Sequence, residues 1–153
     1  MTDHAFVSPD WLQERLGKPG IKIVDGAWYL PSQGRDARAE YDAAHIPGAV
    51  FFDQDKVVDP GSSLPHTLPA PEDFARIVGA MGIAETDTIV VHDGPGLFSA
   101  PRCRWMFRIM GAGKVYVLEG GLDGWKREGR PLTAEPTRIA PNVFNASFDA
   151  SRV

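Results

Sequence analysis

Short β-branched runs alternate with longer helix-like stretches along this chain, and that alternation most constrains how it can fold. Four runs have the composition of strands: Ile21–Asp25, Ala49–Phe52, Thr88–His92 and Lys114–Leu118. Five other stretches are typical of helices: Pro9–Leu16, Arg38–Ala44, Pro71–Met81, Ala100–Met110 and Leu122–Glu128. Proline opens several of these stretches and glycine follows them, as is common at helix ends. Short apolar strands between helices predict an α/β domain, with a mostly parallel sheet flanked by helices on both faces.

Size and charge limit what the protein can be. Its 153 residues have the length of one domain with an ordinary core. No apolar run is long enough to cross a membrane, and Met1–His4 lacks the order of a secretory signal. A net charge of -4 with scattered basic residues disfavours nucleic acid as a partner. One cysteine, Cys103, excludes an internal disulfide and fits a reducing compartment, so we expect a cytoplasmic protein.

The best candidate for a functional loop follows the predicted strand Thr88–His92. Asp93, Gly94 and Gly96 lie in a glycine-rich turn that leads into the predicted helix Ala100–Met110. Ligands of parallel sheets bind where the strands end, and backbone N–H groups at such a turn suit an anion. The turn lacks the spacing and the Gly-Lys-Ser/Thr ending of a Walker loop. A tight connection that binds nothing is the alternative interpretation.

A second long loop, at residues 53–69, contains three prolines and few apolar residues. Loops of that length inside a compact domain are usually functional. The histidines and acidic residues show no metal-ligand spacing, so we expect neither a metal nor another cofactor. After Leu132 the alternation ends, and the tail has the pattern of a linker or of a strand that pairs outside this chain.

Several motifs together resemble the rhodanese-like sulfurtransferase family. Residues 40–49 read EYDAAHIPGA, which looks like the first rhodanese signature, and residues 115–125 read VYVLEGGLDGW, which looks like the second. Residues 98–108 and 51–69 are similar to the N-terminal domains of thiosulfate and 3-mercaptopyruvate sulfurtransferases. The resemblance extends from about Val7 to Leu132. It implies a rhodanese-like three-layer domain.

The resemblance also implies that the reactive position of this domain is vacated. An active rhodanese domain has a cysteine directly after the central strand, and its thiolate carries sulfur as a persulfide among the N–H groups of the loop. Asp93 occupies that position here, with Gly94 beside it and Gly96 at the loop glycine. A carboxylate can lie in such a cradle but forms no persulfide. Asp93 is therefore interpreted as a structural filler, and we expect Asp93→Asn to leave folding nearly intact. Cys103 lies inside a predicted helix, which is typical of a small core residue.

In mercaptopyruvate-type members of the family, a histidine and an aspartate of the long loop approach the cysteine of a second domain. Asp55 and His66 match those positions. An aspartate that orients a histidine beside a nucleophile is a common way to move protons near a thiol. The alternative is a solvated loop histidine beside an exposed aspartate. Trp28 is assigned to packing, like the other tryptophans.

These observations predict the N-terminal half of a two-domain sulfurtransferase. Residues 1–133 would form the inactive rhodanese-like domain, and residues 134–153 would begin a linker to a catalytic C-terminal rhodanese domain, its main partner. The intact protein would transfer a sulfane sulfur from a small anionic donor, 3-mercaptopyruvate or thiosulfate, to a thiophilic acceptor, whereas this chain alone would be inactive. The alternative is an independent, non-enzymatic rhodanese-like module that binds or regulates a partner.

Overall fold

A five-stranded sheet, in which every pairing is parallel, forms the middle layer of the protein. The computed structural model describes residues 5–59, 61 and 68–149. The strands lie in the order β1-β5-β4-β2-β3. Their bounds are Phe6–Val7 (β1), Ile21–Asp25 (β2), Ala49–Phe51 (β3), Thr88–His92 (β4) and Lys114–Leu118 (β5). The predicted parallel α/β architecture is confirmed.

Helices cover both faces of this sheet. They are Pro9–Gln13 (α1), Ala37–Ala43 (α2), Pro71–Ala80 (α3), Ala100–Ile109 (α4) and Gly121–Arg127 (α5). Neighbouring residues of β4 point to opposite faces: Val91 packs with the buried residues of α3 and α4, and Val90 with those of α1, α2 and α5. The three predicted layers are therefore present. Among the described residues, no helix has the length and apolarity needed to span a membrane.

The sequence pattern did not predict β1 at the edge of the sheet. Phe6 and Val7 pair with Val117 and Leu118 of β5, so the strand is two residues long. A periodic pattern cannot be recognised over two residues, and the Phe6 side chain is largely exposed. β1 nevertheless matters to the functional edge, because it brings Phe6 beside the loop that follows β4.

Residues 134–149 form neither a helix nor a strand, yet they pack against the domain. Phe144 is buried among aromatic side chains of α3 and α4. The Asn142 N–H donates to the Gly79 carbonyl at 2.8 Å. Gly82 makes room for this segment, because a Cβ there would lie 2.3 Å from the Ile139 side chain. The boundary at residue 133 stays a prediction, but the chain beyond it contributes to the core.

Candidate functional site

The loop after β4 closes around a buried carboxylate. Asp93 is 0% exposed. One of its carboxylate oxygens accepts from the backbone N–H groups of Phe98 at 2.7 Å, Ser99 at 2.7 Å and Ala100 at 2.9 Å. The other oxygen accepts from the N–H of Gly96 at 2.5 Å. The donors that would otherwise bind an anion in this loop therefore bind a side chain of the protein itself.

This geometry argues against the expectation that Asp93→Asn would leave folding nearly intact. Both oxygens of the carboxylate accept hydrogen bonds, and an asparagine has only one oxygen to offer. Its NH2 group would face a backbone N–H in a site without access to solvent. A buried donor left without an acceptor costs about 1–3 kcal/mol. The geometry therefore favours a carboxylate with two accepting oxygens over an amide of the same size at this position.

The second signature motif packs directly against the same loop. The N–H of Leu122 donates to the carbonyl of Asp93 at 2.8 Å, and that of Asp123 to the carbonyl of Gly94 at 2.9 Å. Gly121, with a φ of 60°, lies where these two segments of the main chain meet. A Cβ at Gly121 would be 2.4 Å from the Gly94 oxygen, so only glycine fits. The motif thus fixes the main chain of the loop, while Asp93 fixes its N–H groups.

Arg35 joins the first signature to the second. Its guanidinium donates to both carboxylate oxygens of Glu40, the shorter bond being 2.7 Å, and to both of Asp123 at 3.1 Å. These bonds raise the pKa of Arg35 further above its usual range. The same cation lies 4.3 Å from the ring centre of Tyr29. A Cβ at Gly94 would collide with the Tyr29 hydroxyl, so Gly94 is required there for its small size.

Cys103 is on α4 and fully buried, as the sequence predicted for a core residue. Burial raises the pKa of its thiol well above the usual value, and the nearby charge of Asp25 acts in the same direction. Arg102 favours the thiolate but is outweighed. Because the thiolate is the reactive form, Cys103 lacks the environment of a nucleophile.

A second buried carboxylate lies beside the end of β4. Asp25 ends β2 and pairs in register with His92. One oxygen of Asp25 accepts from the Ala27 N–H at 3.0 Å. Burial raises the pKa of Asp25, although the nearby His92 lowers it. The carboxyl edge of the sheet therefore holds two buried carboxylates, those of Asp25 and Asp93.

The loop after β3 presents its carboxylate to solvent instead. Asp55 is exposed, and one of its oxygens accepts from the indole N–H of Trp28 at 2.9 Å. Its neighbour Gln54 is buried and donates to the carbonyls of Gly26 at 2.7 Å and Ser99 at 2.9 Å. A polar cleft of about 340 Å³ opens here. Its lining includes Trp28, Tyr29, Arg35, Arg38, Asp53 and Asp55.

The structure places the predicted site residues in two adjoining loops. Asp93, Gly94 and Gly96 lie together in the loop between β4 and α4, residues 93–99, which we call the sealed loop. Asp55 lies at the same edge of the sheet. His66 is outside the described residues, so its pairing with Asp55 stays a prediction. Among the described residues, no cluster of three or more His, Cys, Asp or Glu side chains could hold a metal.

Sequence reasoning missed the polar links between the two loops. Trp28 was assigned to packing, and Gln54 and Ser99 were given no role. The signal that could have found them is position, because each follows closely on the carboxyl end of a strand or opens the helix after it. An indole N–H or a primary amide at such a place commonly needs a partner when it is shielded from water.

Leu97 and Phe98 form an apolar tip on the sealed loop. Their side chains are 66% and 42% exposed. Leu97 also lines an open cleft of about 520 Å³, together with Phe6 and Glu119. Large exposed apolar side chains grouped at a functional edge commonly mark an interaction surface.

Comparison with known proteins decides the family. The model of the rhodanese-like domain family matches residues 8–128. The chain belongs to this family. The rhodanese-like domain is 49% identical over 149 residues to thiosulfate/3-mercaptopyruvate sulfurtransferase 1, mitochondrial, from Arabidopsis thaliana, covering 97% of the chain and 39% of that protein. It is 43% identical over 152 residues to human 3-mercaptopyruvate sulfurtransferase, covering 95% of the chain and 51% of the human protein.

Solved structures agree with this assignment. The crystal structure of SseA, a 3-mercaptopyruvate sulfotransferase from Escherichia coli, matches with a TM-score of 0.91 and 42% identity. The match covers 97% of this chain and 57% of the SseA chain. The chain spans about half the length of the curated relatives it matches, or less. The resemblance to sulfurtransferases is therefore confirmed.

Proposed function

We propose that this domain is the N-terminal half of a sulfurtransferase and does not itself carry the transferred sulfur. The observation behind the proposal is the burial of Asp93 under four backbone N–H groups. A carboxylate in this position occupies the anion cradle and has no sulfur with which to form a persulfide. The only cysteine of the chain, Cys103, is buried and has a raised pKa.

The sulfur carrier in this proposal is a cysteine of a second, C-terminal rhodanese domain. Its thiolate attacks the sulfur of 3-mercaptopyruvate and forms a persulfide. The carbon–sulfur bond breaks, its electron pair passes to the carbon as the enolate of pyruvate, and that enolate takes up a proton. The thiolate of an acceptor then attacks the outer sulfur and releases the cysteine thiolate. Thiosulfate, which releases sulfite, is the alternative donor.

Asp55 and His66 are the residues of this domain that we propose to assist that cysteine. The support for Asp55 is its exposure at the carboxyl edge of the sheet, where ligands of parallel α/β folds bind. In this proposal His66 moves the protons near the thiol and Asp55 orients it. The exposed apolar tip at Leu97 and Phe98 supports docking of a second domain at the same edge. The single cysteine supports a reducing compartment such as the cytoplasm.

The test is to locate the persulfide in the intact protein. After exposure to 3-mercaptopyruvate without an acceptor, mass spectrometry is expected to find one added sulfur on a cysteine outside residues 1–153 and none on Cys103. His66→Ala and Asp55→Asn are each expected to slow turnover with 3-mercaptopyruvate. The matched control is Asp10→Asn, which changes an exposed carboxylate on α1. A persulfide on Cys103 would contradict the proposal, as would wild-type rates in both variants. An intact protein without transferase activity would favour the non-enzymatic module.

A further inference from the structure

We propose that Trp28 is a positioning residue for Asp55 and that the sealed loop after β4 fixes Trp28 in place. The inference rests on the proposed function for its kinetic meaning. The contact itself stands on geometry: the indole N–H of Trp28 donates to a carboxylate oxygen of Asp55 at 2.9 Å. Asp55 is exposed, whereas Trp28 is half-buried, so the indole is the better-anchored partner.

Two contacts anchor Trp28 to the sealed loop. Its backbone N–H donates to the hydroxyl of Ser99 at 3.0 Å, and that hydroxyl donates to the carbonyl of Gly26 at 2.8 Å. The indole also stacks on Phe98, with ring centres 6.4 Å apart and planes 15° from parallel. The backbone N–H groups of both Phe98 and Ser99 donate to the Asp93 carboxylate. A continuous set of contacts therefore joins Asp93 to Asp55 through Trp28.

Asp55 needs such a support because of where it lies. Its backbone N–H donates to the side chain of Asp53 at 2.9 Å, which orders the turn of the main chain but does not itself orient the Asp55 carboxylate. A hydrogen bond from an indole to a carboxylate is directional and charge-assisted, so it selects one orientation of that group. A group that must orient a histidine acts only from one such orientation. The sealed loop therefore has a structural role in this domain: it holds Trp28 in position, and Trp28 in turn orients the Asp55 carboxylate.

The kinetic test uses Trp28→Phe in the intact protein, because phenylalanine keeps the stacking on Phe98 and removes the indole N–H. We expect kcat with 3-mercaptopyruvate to fall about tenfold, in line with the loss of one hydrogen bond to a charged group, with a smaller change in KM. The double variant with Asp55→Asn is expected to be no slower than Asp55→Asn alone. The matched control is Trp11→Phe on α1, because Trp11 packs against Tyr116 and belongs to neither loop. This variant is expected to keep the wild-type rate.

A spectroscopic test on the 153-residue chain requires no transferase activity. We expect the indole ¹H–¹⁵N resonance of Trp28 to move on Asp55→Asn and to stay in place on Asp10→Asn. This arm stands even if Trp28→Phe fails to fold. An unmoved resonance would overturn the positioning role whatever the activity. Additive kinetic losses, or a wild-type rate for Trp28→Phe beside a slow Asp55→Asn, would also overturn it. A moved resonance with no sulfur transfer in the intact protein would instead refute the proposed function.

Discussion

The two loops at the carboxyl edge of the sheet treat their carboxylates in opposite ways. The loop after β4 buries Asp93 beneath four backbone donors, whereas the loop after β3 exposes Asp55, which accepts a hydrogen bond from the indole N–H of Trp28. A carboxylate with both oxygens bonded and no access to solvent determines structure, because substrate cannot reach it. A carboxylate at the surface is available to a partner. The position of an acidic residue in a family motif therefore says less about its role than the number of its donors and its exposure.

The largest expected difference between the two loops is in stability. Asp93→Ala leaves four backbone N–H groups without their acceptor, and relaxation or entry of water can offset only part of the loss. We expect the free energy of unfolding to fall by about 3–5 kcal/mol. Asp55→Ala, which removes the exposed carboxylate that accepts from Trp28, is expected to change it by less than about 0.5 kcal/mol. Urea unfolding of both variants measures the difference. Equal losses would abolish the distinction between a sealed and an open loop.

A finer comparison asks whether the charge of Asp93 matters or only its shape. Asp93→Asn keeps the size of the side chain but replaces one accepting oxygen with a donor. We expect a loss of about 1–3 kcal/mol in the free energy of unfolding, measured in the same urea titrations. Asp55→Asn provides the matched change in the open loop. Full wild-type stability in Asp93→Asn would show that the loop tolerates a neutral side chain and that its N–H groups find other acceptors.

The smallest expected effect on the free energy of unfolding concerns Asp25, the second buried carboxylate at the carboxyl edge of the sheet, and it depends on pH. Burial raises its pKa in the folded protein, so the folded state retains a proton that the unfolded chain releases above about pH 4. The stabilisation linked to that proton is complete below this pH and is lost as the pH rises through the folded pKa. We expect Asp25→Asn, which is neutral throughout, to gain stability relative to wild type as the pH rises. Paired unfolding curves from acid to neutral pH measure the gain. The opposite trend would show that His92 lowers the pKa of Asp25 by more than burial raises it.

Strand and helix composition predicted most of the fold, because β2, β4 and β5 are compact β-branched runs. The tail was harder to predict. It makes its contacts through backbone hydrogen bonds, through the space at Gly79 and Gly82, and through one aromatic side chain, Phe144. None of these leaves a repeating pattern in the sequence.

The site was predictable in part, and the part that was missed has a physical reason. Resemblance located Asp93, Gly94 and Gly96, but residue types alone cannot show how many donors converge on a carboxylate. Trp28 resembled any other packing tryptophan in the sequence. Its link to Asp55 depends on two loops that are 27 residues apart and meet only when β2 and β3 pair.

The measurement that bears most directly on the sealed loop is sulfur transfer by the 153-residue chain itself. Thiosulfate and cyanide are supplied at neutral pH, and thiocyanate is followed over time with Cys103→Ser as the paired variant. A chain whose anion cradle is filled by Asp93 and whose thiol is buried is expected to form no thiocyanate above the uncatalysed rate, with or without Cys103. Clear turnover that disappears in Cys103→Ser would contradict the conclusion that this domain carries no sulfur.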